Sequence, residues 1–433
     1  MRRPGPRRRR RRAPRDRVVS DRASPIVPLL GVVSAMLPSM QTVCGSAAAT
    51  GDGTEETLGE ALSAARAALG DRDPDLCVLF ASPRHPLHLA AAIAHERLGC
   101  DVLSCSSAGE IADTRLLCAG VSVLLIAWGD AQHALEPVVP LEAEGEVAAE
   151  ALTGIFPTHA SAAAGAGLEH GTTLMLGDGL SPDLETLVAK IRSRLPQAHD
   201  VVGAGAADDG DLRYTFVGSG RTVAAGSAVT AHVASKTPWG VGVGHGTRPT
   251  STPMTVTAAT HNVVHELDGR PAIDVYRELA ANQGVSVDTE EKLRRFLVGH
   301  EIGVHFFDEI ARVRAPIGVR PEGGVAFVGE VPEGATVSFV NGTPESYVEA
   351  AREAARMALA GLEGATLAGV LVFSCITRGR VLGERYPEEL EAIREVFGDV
   401  PTAGLLSYGE IARIPGKLDG FHNSTLVLVA IPA

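Results

Sequence analysis

The thiol of Cys375 and the guanidinium of Arg378 stand three positions apart at the end of an apolar run, LVFSCITRG. A guanidinium close to a thiol lowers its pKa, so the pair holds the parts of a nucleophile. Such a cysteine also needs a base, and His422 is the nearest histidine in the sequence. The same two residues admit another chemistry. Cys375 can be a small lining residue, with Arg378 a two-pronged anchor for a carboxylate or phosphate. Glu110 and Glu410 each follow a glycine, and three roles stay open for them. They can be paired acids, holders of a ligand amine, or structural acceptors for N–H groups orphaned at a tight turn. Ser407, Tyr408, Gly409 and Asn423 add neutral hydrogen-bonding groups beside Glu410. In GDGLSPD, Asp178 and Ser181 fall at a helix start, where anions and polar groups bind well. Ser181 is equally read as the N-cap before Pro182.

Positioning these groups takes strands that end together. Leu371 to Ile431 reads as an apolar β-branched run, an amphipathic helix, a second run ending in SYGE, and a third run, LVLVAI. In parallel strand-helix-strand units, ligands collect where strands finish and backbone groups lose their sheet partners. A second copy spans LCVLFAS, a helical stretch, DVLSCSSAGEIAD and GVSVLLIAW, sharing S-x-G-E-I-A and aligning Glu110 with Glu410. A weaker third copy runs from TTLMLGDGLSPD to DVVGAGAADD. Repetition of this kind points to one unit used several times. The fold class expected is α/β, two related domains with repeated strand-helix-strand units and mixed sheets.

The chain has 433 residues, 45% hydrophobic and 21% charged, enough for two or three ordinary cores. Residues 1 to 22 hold eleven Arg and two Asp, a balance of +9, so a net charge of −13 leaves −22 on the remainder. A body so acidic repels polyanions, and with aromatics at 4% it lacks stacking platforms, so nucleic acid is not an expected partner. The six cysteines form no C-x-x-C pair, and three lie in or beside apolar runs. They are read as reduced thiols in a cytoplasmic protein. No run is long enough for a membrane span, so no membrane partner is expected.

Residues 1–53 are expected as a disordered basic extension, with a signal peptide as the other reading of its basic, apolar and small-residue order. Order is expected from Thr54, as N-cap of a helix with Leu58, Leu62, Ala65 and Leu69 inward and Gly70 past its end. A helix over about 142–155 and a surface loop over HASAAAGAGLEHG follow. Short β-rich runs between Leu212 and Thr260 predict antiparallel strands. Domains are placed at 54–268 and 269–433, the boundary lying in HELDGRPAIDVY. Histidine spacing offers no metal site, and no phosphate loop, hydrolase elbow or complete dinucleotide fingerprint is present, so neither metal nor cofactor is expected.

SCSSAGEIA, GDGLSPD, VVGAGAADD, ELDGRPAIDVY, FSCITRG, GLLSYGEIA and FHNSTLVLV, in that order, resemble the landmarks of the FIST family across Asp73 to Ile431. The resemblance implies a FIST N-terminal-like and a FIST C-terminal-like domain. It also implies a sensory module binding small ligands such as amino acids, found in bacterial signal-transduction proteins and in an F-box protein. Ala204 departs from the family's double glycine by separating Gly203 from Gly205, which would alter backbone approach there. With no kinase, cyclase, methyl-accepting or F-box segment in view, the chain would have to signal through a separate signalling protein, or else merely store or carry its ligand. The ligand contacts expected are Arg378 for an anionic group, Glu410 for an amine, and Ser407, Tyr408, Asn423, Asp178 and Ser181 for neutral bonds. Cys375, Gly409 and Glu110 complete the candidate set. The alternatives are an enzyme using Cys375 and a ligand-free scaffold.

Overall fold

The computed structural model describes residues 41–141, 145–306, 309–413 and 419–433. The Arg-rich segment and the signal-peptide reading of it lie outside them. Three copies of one unit build the body. In each, a first strand runs parallel to a second across a helical connection, and a third strand returns antiparallel to the first. The first copy uses Leu76–Ala81, Asp101–Ser106 and Gly120–Ala127. Its counterparts are His170–Asp178, Asp200–Ala206 and Ser227–Ser235 in the second copy. The third copy has Leu367–Cys375, Thr402–Ser407 and Leu426–Pro432. A further strand lies beside each third strand: Val43–Thr50, Ala131–Leu135 and Gly240–Gly244 respectively.

The copies trade hairpins. Each second strand would end its sheet, but the hairpin after it in sequence crosses to another copy's sheet. The first copy's hairpin, Glu110–Ala112 with Arg115–Leu117, pairs with Thr402–Ser407 of the third. The third copy's, Glu410–Arg413 with Asp419–His422, pairs with Asp200–Ala206 of the second. The second copy's, Phe216–Ser219 with Thr222–Ala225, pairs with Asp101–Ser106 of the first. The exchange is therefore cyclic.

Strand patterning explains how the sheets stack. Along Leu76–Ala81, residues Leu76, Val78 and Phe80 enter one shared core while Cys77, Leu79 and Ala81 face the helices Thr54–Ala68 and Leu87–Leu98. Alternate side chains point to opposite faces, so a strand covered on both sides reads as a continuous apolar run. Leu174 and Leu176 of the second copy and Leu371 and Phe373 of the third meet in the same shared core, where Phe80 and Phe373 pack edge to face at 6.1 Å. Helices Leu184–Arg194 and Pro344–Gly361 cover the outer faces of the other two sheets.

Residues 248–341 form a fourth, nine-stranded sheet inserted between Gly240–Gly244 and the helix Pro344–Gly361. The expected boundary at 268/269 falls inside it, at the turn joining Val263–Leu267 to the short strand Arg270–Pro271.

Several local expectations need correction. Residues 43–50, placed in a disordered extension, are a strand paired along its whole length with Gly120–Ala127. Their small side chains conceal a strand because Gly45 lies directly under the carbonyl of Ala65 in the covering helix. That helix is capped by Gly53, and the Thr54 hydroxyl instead meets His85 Nδ1 at 3.3 Å. The helix expected over 142–155 is described only from Gly145 to Ala151. The first half of the Ala-rich stretch read as a loop belongs to a helix, Phe156–Gly165, since alanine is the strongest helix former and repetition does not weaken it; residues 166–169 are the turn that follows. The antiparallel strands expected after Leu212 are present.

Candidate functional site

The two S-x-x-E repeats settle first. Glu410 accepts from the Ser407 hydroxyl at 2.7 Å and from the Thr425 N–H at 3.2 Å. Glu110 accepts from Ser107 and from the Gly120 N–H, the latter at 2.8 Å. Each glutamate thus sits on a hairpin donated to another sheet and ties it back to the third strand of its own copy. Glycines 109 and 409, with φ of 154° and 115°, make the preceding turn. Both carboxyls are fully buried. Burial raises the Glu110 pKa to about 8 and that of Glu410 well above the usual carboxylate range. The structural reading holds, and Glu410 is not exposed to a ligand amine. Ser407 is spent on Glu410 and on the carbonyl of Ser374.

Arg378 is likewise internal. Its side chain is fully buried and paired with Glu389, which is equally buried, at 2.6 Å. The remaining N–H groups reach the carbonyls of Tyr347 at 2.9 Å and His245 at 3.0 Å. The guanidinium closes a helix-to-strand seam and is not an anchor facing solvent.

A cleft of about 220 Å³ lies where the inserted sheet meets the strand ends of the second and third copies. It brings together Ser181, Cys375, Tyr408 and Asn423 of the expected residues. Tyr408 reaches it because Gly205 lets two backbones touch: the Gly205 N–H donates to the Gly409 carbonyl at 2.8 Å and the Tyr408 N–H to the Gly205 carbonyl at 3.0 Å. Gly203 lies against the carbonyl of Met175, and Ala204 between them turns into the shared core. The departure from a double glycine therefore leaves the close approach intact.

The Tyr408 hydroxyl donates to Asp208 at 2.5 Å and accepts from the Gly210 N–H at 2.9 Å. Asp208 also receives the N–H groups of Leu212, Arg213 and Tyr214. The side-chain amide of Asn423 donates to its neighbour's carbonyl, and its oxygen accepts from the Ala315 N–H at 3.2 Å. Asp178 stands beneath the cleft, accepting from the Leu180 N–H at 2.9 Å and from the Thr215 hydroxyl. The cap of the following helix is Asp183; Ser181 precedes it and accepts the Asp183 N–H at 3.2 Å.

The thiol of Cys375 is buried, and desolvation together with Glu410 and Glu301 pushes its pKa up. His422 does not line the cleft, donates from Nε2 to the Ala412 carbonyl at 3.1 Å, and is held down to a pKa of about 3 by burial. Neither a thiolate nor its base is prepared here.

Sequence reasoning missed Asp208, Arg294, Arg320, Arg380 and Phe327. One signal was available for Arg380, two positions past Arg378 on the helix Ile376–Leu382. Residues two apart on a helix point to different sides, so only one of the two can enter the core. Arg294, Arg320 and Phe327 come from the inserted sheet and its helices, far away in sequence.

Residues 75–270 match the FIST N domain and residues 272–413 the FIST C domain. The chain belongs to the FIST family. The two FIST regions meet at Pro271, where the short strand ends and the helix Ala272–Asn282 begins. FIST domains are associated with sensory and signal-transduction roles. The chain is similar to an uncharacterized protein of Mycobacterium tuberculosis, 32% identical over 197 residues, covering 43% of this chain and 50% of the relative. An uncharacterized protein of Mycobacterium bovis is 32% identical over 199 residues, with the same coverage. The chain thus spans about half the length of these curated relatives. No helix among the described residues is long and apolar enough to cross a membrane.

Proposed function

We propose that this FIST protein is a small-ligand-binding sensor that takes a metabolite in the cleft between the inserted sheet and the strand ends. The observation that carries this reading is convergence. Ser181 from the second copy and Cys375, Tyr408 and Asn423 from the third, all at or just beyond strand ends, line one cleft with residues of the insert. Ligands favour such strand-end crevices in α/β sheets. The insert contributes one wall, so a bound molecule bridges insert and body and favours their closed arrangement by its differential affinity. Signalling then passes to a separate protein that recognises that arrangement. A cytoplasmic location fits the six unpaired thiols.

The test is native mass spectrometry of protein purified from its own host, followed by identification of whatever is released on denaturation. A stoichiometric small molecule, lost when Tyr408→Ala and Asn423→Ala are combined, supports the sensor. Protein that is empty and unshifted by a broad metabolite panel would sink it in favour of a scaffold.

A further inference from the structure

The cleft has an unusual charge for this protein. Arg294 on the helix Glu290–Val298, Arg320 beyond the strand Pro316–Val319, and Arg380 on the helix Ile376–Leu382 all line it, and all three are exposed. No aspartate or glutamate is among its lining residues within the described part of the chain. Three carboxylates close in sequence to the lining are committed elsewhere: Asp178 to Leu180 and Thr215, Asp208 to Tyr408 and three N–H groups, Glu185 to Arg312 and Arg314; Asp183, Asp211, Glu290, Glu291 and Glu322 are exposed and do not line the cleft. Among the described residues, none of the ion pairs uses Arg294, Arg320 or Arg380. Three cations therefore ring one cleft on a chain whose sequence beyond the first 22 residues carries −22. A cleft lined by one sign of charge focuses the field and draws the opposite charge to it.

Beneath the arginines the lining is apolar or neutral. Leu180, Phe327, Val328 and Ile376 supply apolar surface, and Tyr408 and Asn423 supply polar groups already held by internal bonds. A dry apolar cavity of about 150 Å³ accepts a benzene ring. The 220 Å³ here leaves room for one small group more. An ammonium group would meet three guanidiniums and no carboxylate, whereas a planar oxyanion meets groups that bind it through two parallel hydrogen bonds.

Resting on the sensor reading above, we infer that the cleft takes a small organic anion. Its ligand has an apolar body about the size of one ring and a single carboxylate or phosphate, and zwitterionic amino acids are discriminated against. The ring-sized body lies against Phe327 and Ile376. The oxyanion lies at the mouth, among the arginines.

A matched series tests this by calorimetry on the full chain: 3-phenylpropionate, L-phenylalanine, which differs from it by one ammonium, the neutral 3-phenylpropanamide, and phenyl phosphate. The expected result is saturable binding of 3-phenylpropionate or phenyl phosphate, with phenylalanine and the amide weaker by roughly tenfold or more. Single Arg294→Gln, Arg320→Gln and Arg380→Gln variants should each weaken the anion by several-fold and the triple variant should abolish it. All should keep the parent's melting temperature without ligand, because the replaced side chains are exposed. Phenylalanine binding as tightly as 3-phenylpropionate, or anion binding that survives the triple variant, overturns the inference while leaving the sensor intact. An ammonium-bearing molecule recovered from the host protein does the same. Failure of the whole series together with an empty native protein removes both.

Discussion

Replacing Arg378 separates a structural ion pair from a ligand anchor. Arg378→Met keeps much of the side chain's volume and removes its charge. Glu389 would be left fully buried with the Ser374 hydroxyl at 3.3 Å as its remaining bond, and the carbonyls of Tyr347 and His245 would lose their donors. Breaking a buried pair by removing one partner costs about 3–5 kcal/mol, because the other charge stays buried and uncompensated. In a chain of this size each kcal/mol moves the midpoint by about 1.2 °C, so thermal unfolding should fall by about 4–6 °C. Adding Glu389→Leu removes the orphaned charge and should restore most of the loss, a coupling that a double-mutant cycle reads directly. Anion binding at the cleft, measured below the lowered midpoint, should match the parent. If Arg378→Met melted like the parent yet lost ligand, or if the double variant were no better than the single, the structural assignment would be wrong.

Other outcomes follow from the same geometry. In folded protein Glu110 holds a proton to about pH 8, whereas the unfolded chain releases it near 4.5, so its contribution to stability declines as pH rises between those values. Glu110→Gln imitates the protonated form and should gain on the parent by about 1.4 kcal/mol per pH unit across that window; a difference in melting midpoint that stays flat from pH 5.5 to 8 refutes this. A thiol reagent at neutral pH should label exposed Cys118 quickly and buried Cys375 orders of magnitude more slowly, and preferential labelling of Cys375 would revive the nucleophile. A Cβ at Gly205 would stand 2.7 Å from Gly179 Cα and 3.0 Å from the Tyr408 carbonyl. Gly205→Ala should therefore cost about 1–3 kcal/mol and displace Tyr408, seen as loss of cleft binding in protein that still folds.

The repeat was legible in the sequence because strands buried on both faces read as uninterrupted apolar runs. The motif S-x-G-E-I-A also survives in two copies, since one clamp chemistry is needed twice. Direction was harder to read. Arg378 and Arg380 share a helix turn, and which of them is internal depends on Glu389, eleven positions later on another helix. Glu110 and Glu410 looked chemically capable because the N–H groups they serve, on Gly120 and Thr425, lie 10 and 15 residues downstream. The cleft's arginines escaped because Arg294 and Arg320 belong to an insert whose docking no local pattern announces. Hairpin trading was invisible for the same reason: strand pairing across copies leaves no mark on spacing.

That trading makes the three copies mutually dependent. A chain holding one unit would have both a hairpin without a sheet and a sheet edge without a hairpin, an open invitation to pair with its own kind. Because the exchange closes after three steps, no copy could be lifted out without leaving one hairpin and one sheet edge bare in the other two. The insert respects this closure: it enters between Gly244 and Pro344, an interval that carries none of the traded hairpins.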